Sequence, residues 1–288
     1  PGDDPECPAC TVANQRQKPL SDHAHTRSTR PCHRMWMDLG FTAGSNTVFQ
    51  LYLDDYTRES FIDILNNKSE SLQKWSQLKG QLENDYQPWR FSAIKTDSEP
   101  LYWSEEWKKH CNDEDLVHEF SSPYKHGQLG VPERAMQSIG CPFRALMIQG
   151  NAPPKHEHHA LRFANIVRNH SPTKANKGLT PLEKKAGRKL KVNTRLFQAP
   201  LFCLCYSHVY SDQRAKHGRR GVPCVYLGYD QVNNTYLVMQ WSSGKEYYSA
   251  DVEFFPNVFP YRSNPSRSGP ALNQYDDLGP LSTDAQRA

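Results

Sequence analysis

The sequence predicts an α/β domain, a mixed five-stranded sheet with flanking helices, followed by a small all-β domain. Three observations carry that reading. From about residue 32 to 150, short apolar and β-branched runs alternate with helical periodicities in the order βββαβαβα. From about 196 to 256, four apolar runs are divided only by polar turns. Between the two lies a stretch, about 151–195, whose signals are helical and increasingly basic.

The elements follow in order. RMWMDLG, NTVFQLYLDD and ESFIDILNN are separated by the turn formers TAGSN and DYTR, which predicts a three-stranded meander. Asp54 and Asp55 fall in the second turn, where they are expected to cap it or pair with Arg58. SESLQKWSQLKGQLENDY opens on a serine suited to an N-cap and places Leu72, Trp75, Leu78 and Leu82 at helical spacing. WRFSAIKTD reads as a fourth strand, SEEWKKHCNDED as a short helix and LVHEFSSP as a fifth strand. VPERAMQSIGCPFRALMIQ reads as a longer helix with Pro132 in its first turn. KHEHHALRFANIVRNHSP and the Thr-Pro start of GLTPLEKKAGRK predict two further helices. The β domain is expected to use LFCLCYSHVY, VPCVYLGYD, TYLVMQWS and EYYSADVEFF as its four strands.

Composition bounds what surrounds these elements. Only 37% of the 288 residues are hydrophobic, 21 are proline, and mean hydropathy is −0.79, so part of the length is expected to be linker or tail. Residues 1–31 and 257–288 have that character. No run approaches the roughly 18 apolar residues of a membrane helix, and the start has no apolar signal core. The expectation is a soluble intracellular protein without a membrane partner. Eight irregularly spaced cysteines fit reduced thiols, with Cys203, Cys205 and Cys224 buried in strands. A net charge of +4 is too small to argue for nucleic acid; local distribution decides that.

Three acids stand at the ends of separate segments: Asp38 in RMWMDLG, Asp97 in IKTDSEP and Glu133 in GVPERAMQ, with 35 residues between the second and third. A pair of divalent ions about 3.5–4 Å apart, serving in-line phosphoryl displacement, needs carboxylates that converge from separate elements of a rigid scaffold. If strands one and four are neighbours, Asp38 and Asp97 stand side by side and the following helix brings Glu133 across.

The ordered set CPAC, MDLG, YLDDYTRESFIDILNNKSE, IKTD, SSPY, GVPER, GLTPLEKKAGRK, GVPCVYLGYD and SADVEFF, over about residues 7–256, resembles the integrase region of copia-type long-terminal-repeat retrotransposon Pol polyproteins. The resemblance implies an RNase H-like catalytic core at about 32–150. It also implies two Mg²⁺ or Mn²⁺ ions on Asp38, Asp97 and Glu133, and a polynucleotidyl transferase that processes DNA 3′ ends and joins element ends to target DNA. It further implies assembly of several copies on DNA, in the nucleus at integration or in a cytoplasmic particle before it. Cys7 and Cys10 form half of a zinc site, a remnant of an N-terminal module. The family's other two ligands are histidines upstream, so Zn²⁺ is expected only where those are present. His23, His25, Cys32 and His33 read as linker residues instead.

The family's Asp-x-Gly-x-Glu-Phe is TDSEPLYW here, and its Asn-Gly before the third acid is Leu129-Gly130. Two rivals therefore stand beside an active integrase: a catalytically degenerate DNA-binding module, and a nuclease of the ribonuclease H type. Lys184, Lys185, Arg188, Lys189, Lys191 and Arg195, then Arg214, Lys216, Arg219 and Arg220, are expected to contact phosphates, as are Lys95, Lys125 and Arg134 beside the acids. His156, His158 and His159 are read as a polar helix start in preference to a metal cluster.

Overall fold

In the computed structural model of the protein, residues 26–121 and 130–262 are described. The meander is β1 (Arg34–Phe41), β2 (Val48–Asp54) and β3 (Ser60–Leu65). Then come α1 (Ser71–Asp85), β4 (Ala93–Thr96), α2 (Glu105–Asp113), β5 (Val117–Phe120) and α3 (Gly130–Gly150). The sheet order is β3-β2-β1-β4-β5, antiparallel across the meander and parallel from β1 to β4 and β4 to β5. This is the mixed five-stranded, RNase H-like sheet with β1 and β4 as neighbours.

Side-chain alternation along the strands sorts the two faces. Met35, Met37, Tyr52 and Ile94 point to one face and pack with Trp75 and Leu82 of α1, Trp107 and Cys111 of α2, and Tyr102. Trp36, Phe49, Leu51 and Leu53 point to the other, against Ala135 and Ile139 of α3 and Leu161 and Ala164 of α4 (Glu157–Asn169). The helical spacing of Leu72, Trp75, Leu78 and Leu82 thus becomes a packed stripe. No serine side chain caps α1; the preceding 3₁₀ turn is capped by Asn67, which accepts from the Ser69 N–H at 3.0 Å.

Beyond α4, the short helix α5 (Pro181–Ala186) starts on a reciprocal capping box, with Thr180 Oγ1 and the Glu183 carboxylate each accepting the other's backbone N–H at 3.0 Å. The second sheet contains β6 (Leu204–His208), β7 (Gly221–Asp230), β8 (Thr235–Gln240), β9 (Glu246–Ser249) and β10 (Val252–Phe255), all antiparallel in the order β10-β6-β7-β8-β9. It has five strands where four apolar runs were expected, because EYYSADVEFF bends in its middle. The Asp251 carbonyl accepts from the His208 N–H at 3.0 Å and its carboxylate from Tyr210 OH at 2.7 Å. β9 therefore pairs with β8 while β10 crosses to β6. Cys203, Cys205 and Cys224 are buried free thiols, as expected.

The two sheets share a seam. Ala160 and Phe163 of α4 are buried in the core of the second sheet, and Phe143 and Leu146 of α3 pack against both cores. At the end of α3, a Cβ on Gly150 would stand 2.7 Å from the Phe202 ring, so this close approach needs glycine. No helix among the described residues is long and apolar enough to cross a membrane.

Two stretches assigned to linker and tail are docked where the structure describes them. Ser28 is buried, giving its N–H and its hydroxyl to Asp55 Oδ2, both at 2.8 Å. Cys32 is a buried core thiol whose pKa burial pushes up to about 12, and His33 Nδ1 bonds Ser28 Oγ. At the other end, Tyr261 OH bonds His156 Nε2 at 2.8 Å.

Asp54 and Asp55 do what their turn position predicts, and more. Asp54 accepts from Thr57 N–H at 2.7 Å and from Cys32 N–H at 3.1 Å. Asp55, 2% exposed, accepts from Trp36 Nε1 at 2.9 Å and Arg58 at 2.8 Å as well as from Ser28. Burial alone raises the Asp55 pKa, but the Trp36 bond, the Arg58 charge and the Ser28 bonds outweigh it and hold the carboxyl below its ordinary value. A lowered folded pKa gives stability that is full above about pH 4 and fades as pH falls through that lowered value. Asp55→Ala strands Trp36, Ser28 and Arg58 together and is expected to cost about 3–5 kcal/mol in urea unfolding at pH 7. A loss below about 1 kcal/mol would show that Asp55 does not hold this corner.

Candidate functional site

The register of the parallel pair determines where the first two acids sit. Arg34, Met35 and Trp36 of β1 lie opposite Ala93, Ile94 and Lys95 of β4; Asp38 follows Trp36 by two residues in β1, and Asp97 follows the last residue of β4. Asp38 shares the parity of Trp36 and so belongs to the face covered by α3. Glu133 is in the first turn of α3 and exposed. Asp38 lies inside β1, which continues through Phe41, rather than at its end as expected. Continuation depends on Gly40, whose missing side chain leaves room for the Phe49 ring; a Cβ would stand 2.2 Å from it.

Asp38 feels the other two acids electrostatically. Burial first, then the Asp97 charge and more weakly Glu133, raise the Asp38 pKa to about 6, against a lowering bond from the Leu39 backbone. Burial likewise raises Asp97, whose Oδ1 accepts from the Glu99 N–H at 3.1 Å. None of the three acids forms a salt bridge with a described residue, and Lys68, the cation acting on Asp97, is paired with Glu99. Their oxygens do not all lie within 4.8 Å of one another. Three like charges repel, and two ions about 3.5–4 Å apart need carboxylates spread around them. Two partly buried carboxylates and an exposed third, with no cation paired to them among the described residues, are a donor set that fits hard divalent cations.

The altered segment after Asp97 is ordered. Ser98 Oγ donates to the Ser121 carbonyl at 3.2 Å, tying it to the end of β5. Pro100 opens a 3₁₀ turn over Pro100–Trp103. The turn buries Tyr102, whose OH accepts from Gln50 Nε2 at 2.6 Å, and stacks Trp103 on Phe120 at 3.9 Å between centroids.

The basic residues divide. Lys95 is 3% exposed, lies over the Trp36 ring at 4.9 Å and faces Glu119 at 3.8 Å, so its ammonium is spent inside the sheet and is not presented to DNA. Lys185 meets the buried Glu59 at 3.3 Å and lies over Tyr86; Lys184 lies over Tyr56 at 4.3 Å. These two anchor α5 to the turn after β2, a role the one-dimensional charge run conceals. Arg134, Arg188, Lys189, Lys191 and Arg195 are exposed, with Lys189 at 3.4 Å from Glu183. Cys7, Cys10, His23, His25, Lys125 and Leu129 lie outside the described residues.

Sequence reading missed the anchoring of α4. Ser60 N–H and Oγ both donate to Asn169 Oδ1, while Arg168 donates to the Arg58 carbonyl at 2.8 Å. Glu157 accepts from Gly44 and Ser45 N–H at 3.1 and 2.8 Å, holding the β1–β2 turn. Partners over 100 residues apart leave no local signal.

Fold and acids together define an RNase H-like core joined to a small β domain. Residues 203–268 match the family model described as the retroviral polymerase SH3-like domain. The chain is 24% identical over 214 residues to the retrovirus-related Pol polyprotein from transposon TNT 1-94 of Nicotiana tabacum, covering 73% of this chain and 16% of that protein. It is 23% identical over 275 residues to the corresponding polyprotein from transposon RE1 of Arabidopsis thaliana, covering 93% of this chain and 18% of the relative. A chain in the cryo-EM structure of the simian T-cell lymphotropic virus intasome, in complex with the PP2A regulatory subunit B56 gamma, superposes with a TM-score of 0.53 at 16% identity. That superposition covers 84% of each chain. The chain is thus similar to retrovirus-related Pol polyproteins from plant transposons, and it spans less than a fifth of the length of the curated relatives it matches.

A raised carboxylate pKa makes the folded chain bind more protons than the unfolded chain between about pH 4 and 6, so stability falls as pH rises through that window. With EDTA present, Asp38→Asn is expected to raise thermal stability at pH 8 by about 1–3 kcal/mol, discounted for partial exposure. The gain should shrink as pH is lowered toward 4. A thermal-unfolding series showing a pH-independent gain, or a loss, would remove like-charge repulsion from the site.

Proposed function

We propose that this chain is an integrase that processes DNA 3′ ends and transfers them into target DNA, with Asp38, Asp97 and Glu133 holding two Mg²⁺ or Mn²⁺ ions. The observation that supports it most is that Asp38 in β1, held by burial at a pKa of about 6, is also raised by the charges of Asp97 after β4 and Glu133 at the start of α3. When bound, such ions polarise a phosphodiester and activate water or a DNA 3′-hydroxyl. The chain's own part is placement: β1 and β4 fix two carboxylates on one rigid register, and α3 presents the third at the exposed rim. Exposed Arg134, Arg188, Lys189, Lys191 and Arg195 serve DNA phosphates in this reading.

Element-end and target DNA are then the partners. Joining two ends calls for more than one copy, acting in the nucleus at integration. Cys7 and Cys10 take Zn²⁺ with ligands supplied from upstream.

Asp38→Asn, Asp97→Asn and Glu133→Gln are each expected to reduce Mg²⁺- or Mn²⁺-dependent strand transfer to background, with DNA affinity held within about tenfold. Strand transfer that survives the substitutions removes the triad from the mechanism. An inactive parent chain with DNA binding intact favours a degenerate DNA-binding module. Replacing Arg188 and Lys191 by Ala should lower the slope of log affinity against log salt by about 0.9 per lost phosphate contact on duplex DNA. An unchanged slope returns them to plain surface.

A further inference from the structure

Outside the triad, one other cluster has the makings of a metal centre. One nitrogen each of His156 and His159 and a carboxylate oxygen of Glu246 lie within 4.8 Å of one another, the one such group of three among the described residues. The residues come from different parts of the fold. His156 closes the 3₁₀ turn before α4, His159 is in the first turn of α4, and Glu246 is the first residue of β9 in the second sheet. The histidines are 2% and 4% exposed, while Glu246 reaches solvent.

In the tautomer that donates its Nε2–H to Tyr261 OH, His156 keeps a lone pair on Nδ1. His156 Nε2 bonds Tyr261 OH at 2.8 Å, and His156 Nδ1 is buried without a partner among the described residues. A buried ring nitrogen with no bond is costly, and an imidazole whose other nitrogen is held by an oxygen is the usual arrangement of a metal-bound histidine. His159 Nε2 stands 3.1 Å from Glu246 Oε1. Two donors at about 2.0–2.1 Å from a tetrahedral ion are roughly 3.3 Å apart, so this pair already has the spacing.

We propose that His156, His159 and Glu246 form a zinc-class metal site that clasps the start of α4 to β9, with a fourth position open to solvent beside Glu246. Two imidazoles and a carboxylate suit Zn²⁺ over the hard cations proposed for the triad. The ion would join residues nearly 90 positions apart across the seam between the two sheets, locking one to the other.

The test measures Zn²⁺ bound per chain after loading and dialysis, in the full chain and in its Glu246→Gln and His159→Gln forms. Glu246→Gln keeps a hydrogen-bond acceptor for His159 at a solvent-facing position, so folding is preserved, and circular dichroism checks it. Each variant is expected to retain one equivalent less than the parent, or to bind that equivalent about 10–100-fold more weakly. The Zn²⁺-dependent rise in melting temperature should shrink with it. Co²⁺ substitution separates this ion from one on Cys7 and Cys10: the equivalent lost must carry no thiolate charge-transfer absorption. Equal stoichiometry and affinity in all three chains overturns the proposal, as does loss of a thiolate-ligated ion.

Discussion

The parallel pairing of β1 with β4 is the constraint on which the rest depends. Side chains alternate along a strand, so a slip of one residue would turn Asp38 or Asp97 to the opposite face and separate them by the thickness of the sheet. The register is guarded by contacts around Trp36. Its indole N–H is held by Asp55, and its ring lies under Lys95, the residue opposite it in β4. Glu119 of β5 pairs with Arg34 at 2.8 Å and faces Lys95, extending the tie across three strands. These polar contacts bring little net stability once desolvation is counted. Their effect is to make one register much better than its neighbours.

α3 and α4 play the complementary part on the other side. α3 offers Glu133 to the acids at its first turn, packs Ala135 and Ile139 on the first sheet, and sends Phe143 and Leu146 into the seam with the second. α4 does the same with Leu161 and Ala164 on one side and Ala160 and Phe163 on the other. The acid site and the β domain are thus coupled through two helices that neither can shift without disturbing both cores.

Much of this was legible in one dimension. The order βββαβαβα, the stripe Leu72-Trp75-Leu78-Leu82, the Thr-Pro helix start at residue 180 and the turn duty of Asp54 and Asp55 all follow from local patterns. Where the reading erred, a long-range partner had overridden the local signal. Lys95 and Lys185 looked like free cations and are held by Glu119 and Glu59. Residues 26–33 looked like linker and are docked by Asp54 and Asp55. EYYSADVEFF looked like one strand and is bent by its ties to β6. The histidines after residue 155 looked like a polar helix start, and one of them reaches across to β9.

By itself the sequence determined which residues could carry chemistry and which elements hold them, because periodicity, caps and turn formers act over a few residues. The three acids and their elements were readable on that scale. Only the tertiary structure decided that Asp38 feels the charges of Asp97 and Glu133, and that Lys95, Lys184 and Lys185 are internal ties. Strand register and ion pairing are settled by contacts between residues far apart in the chain, where the cost of desolvating a charge is weighed against a partner that no local pattern names.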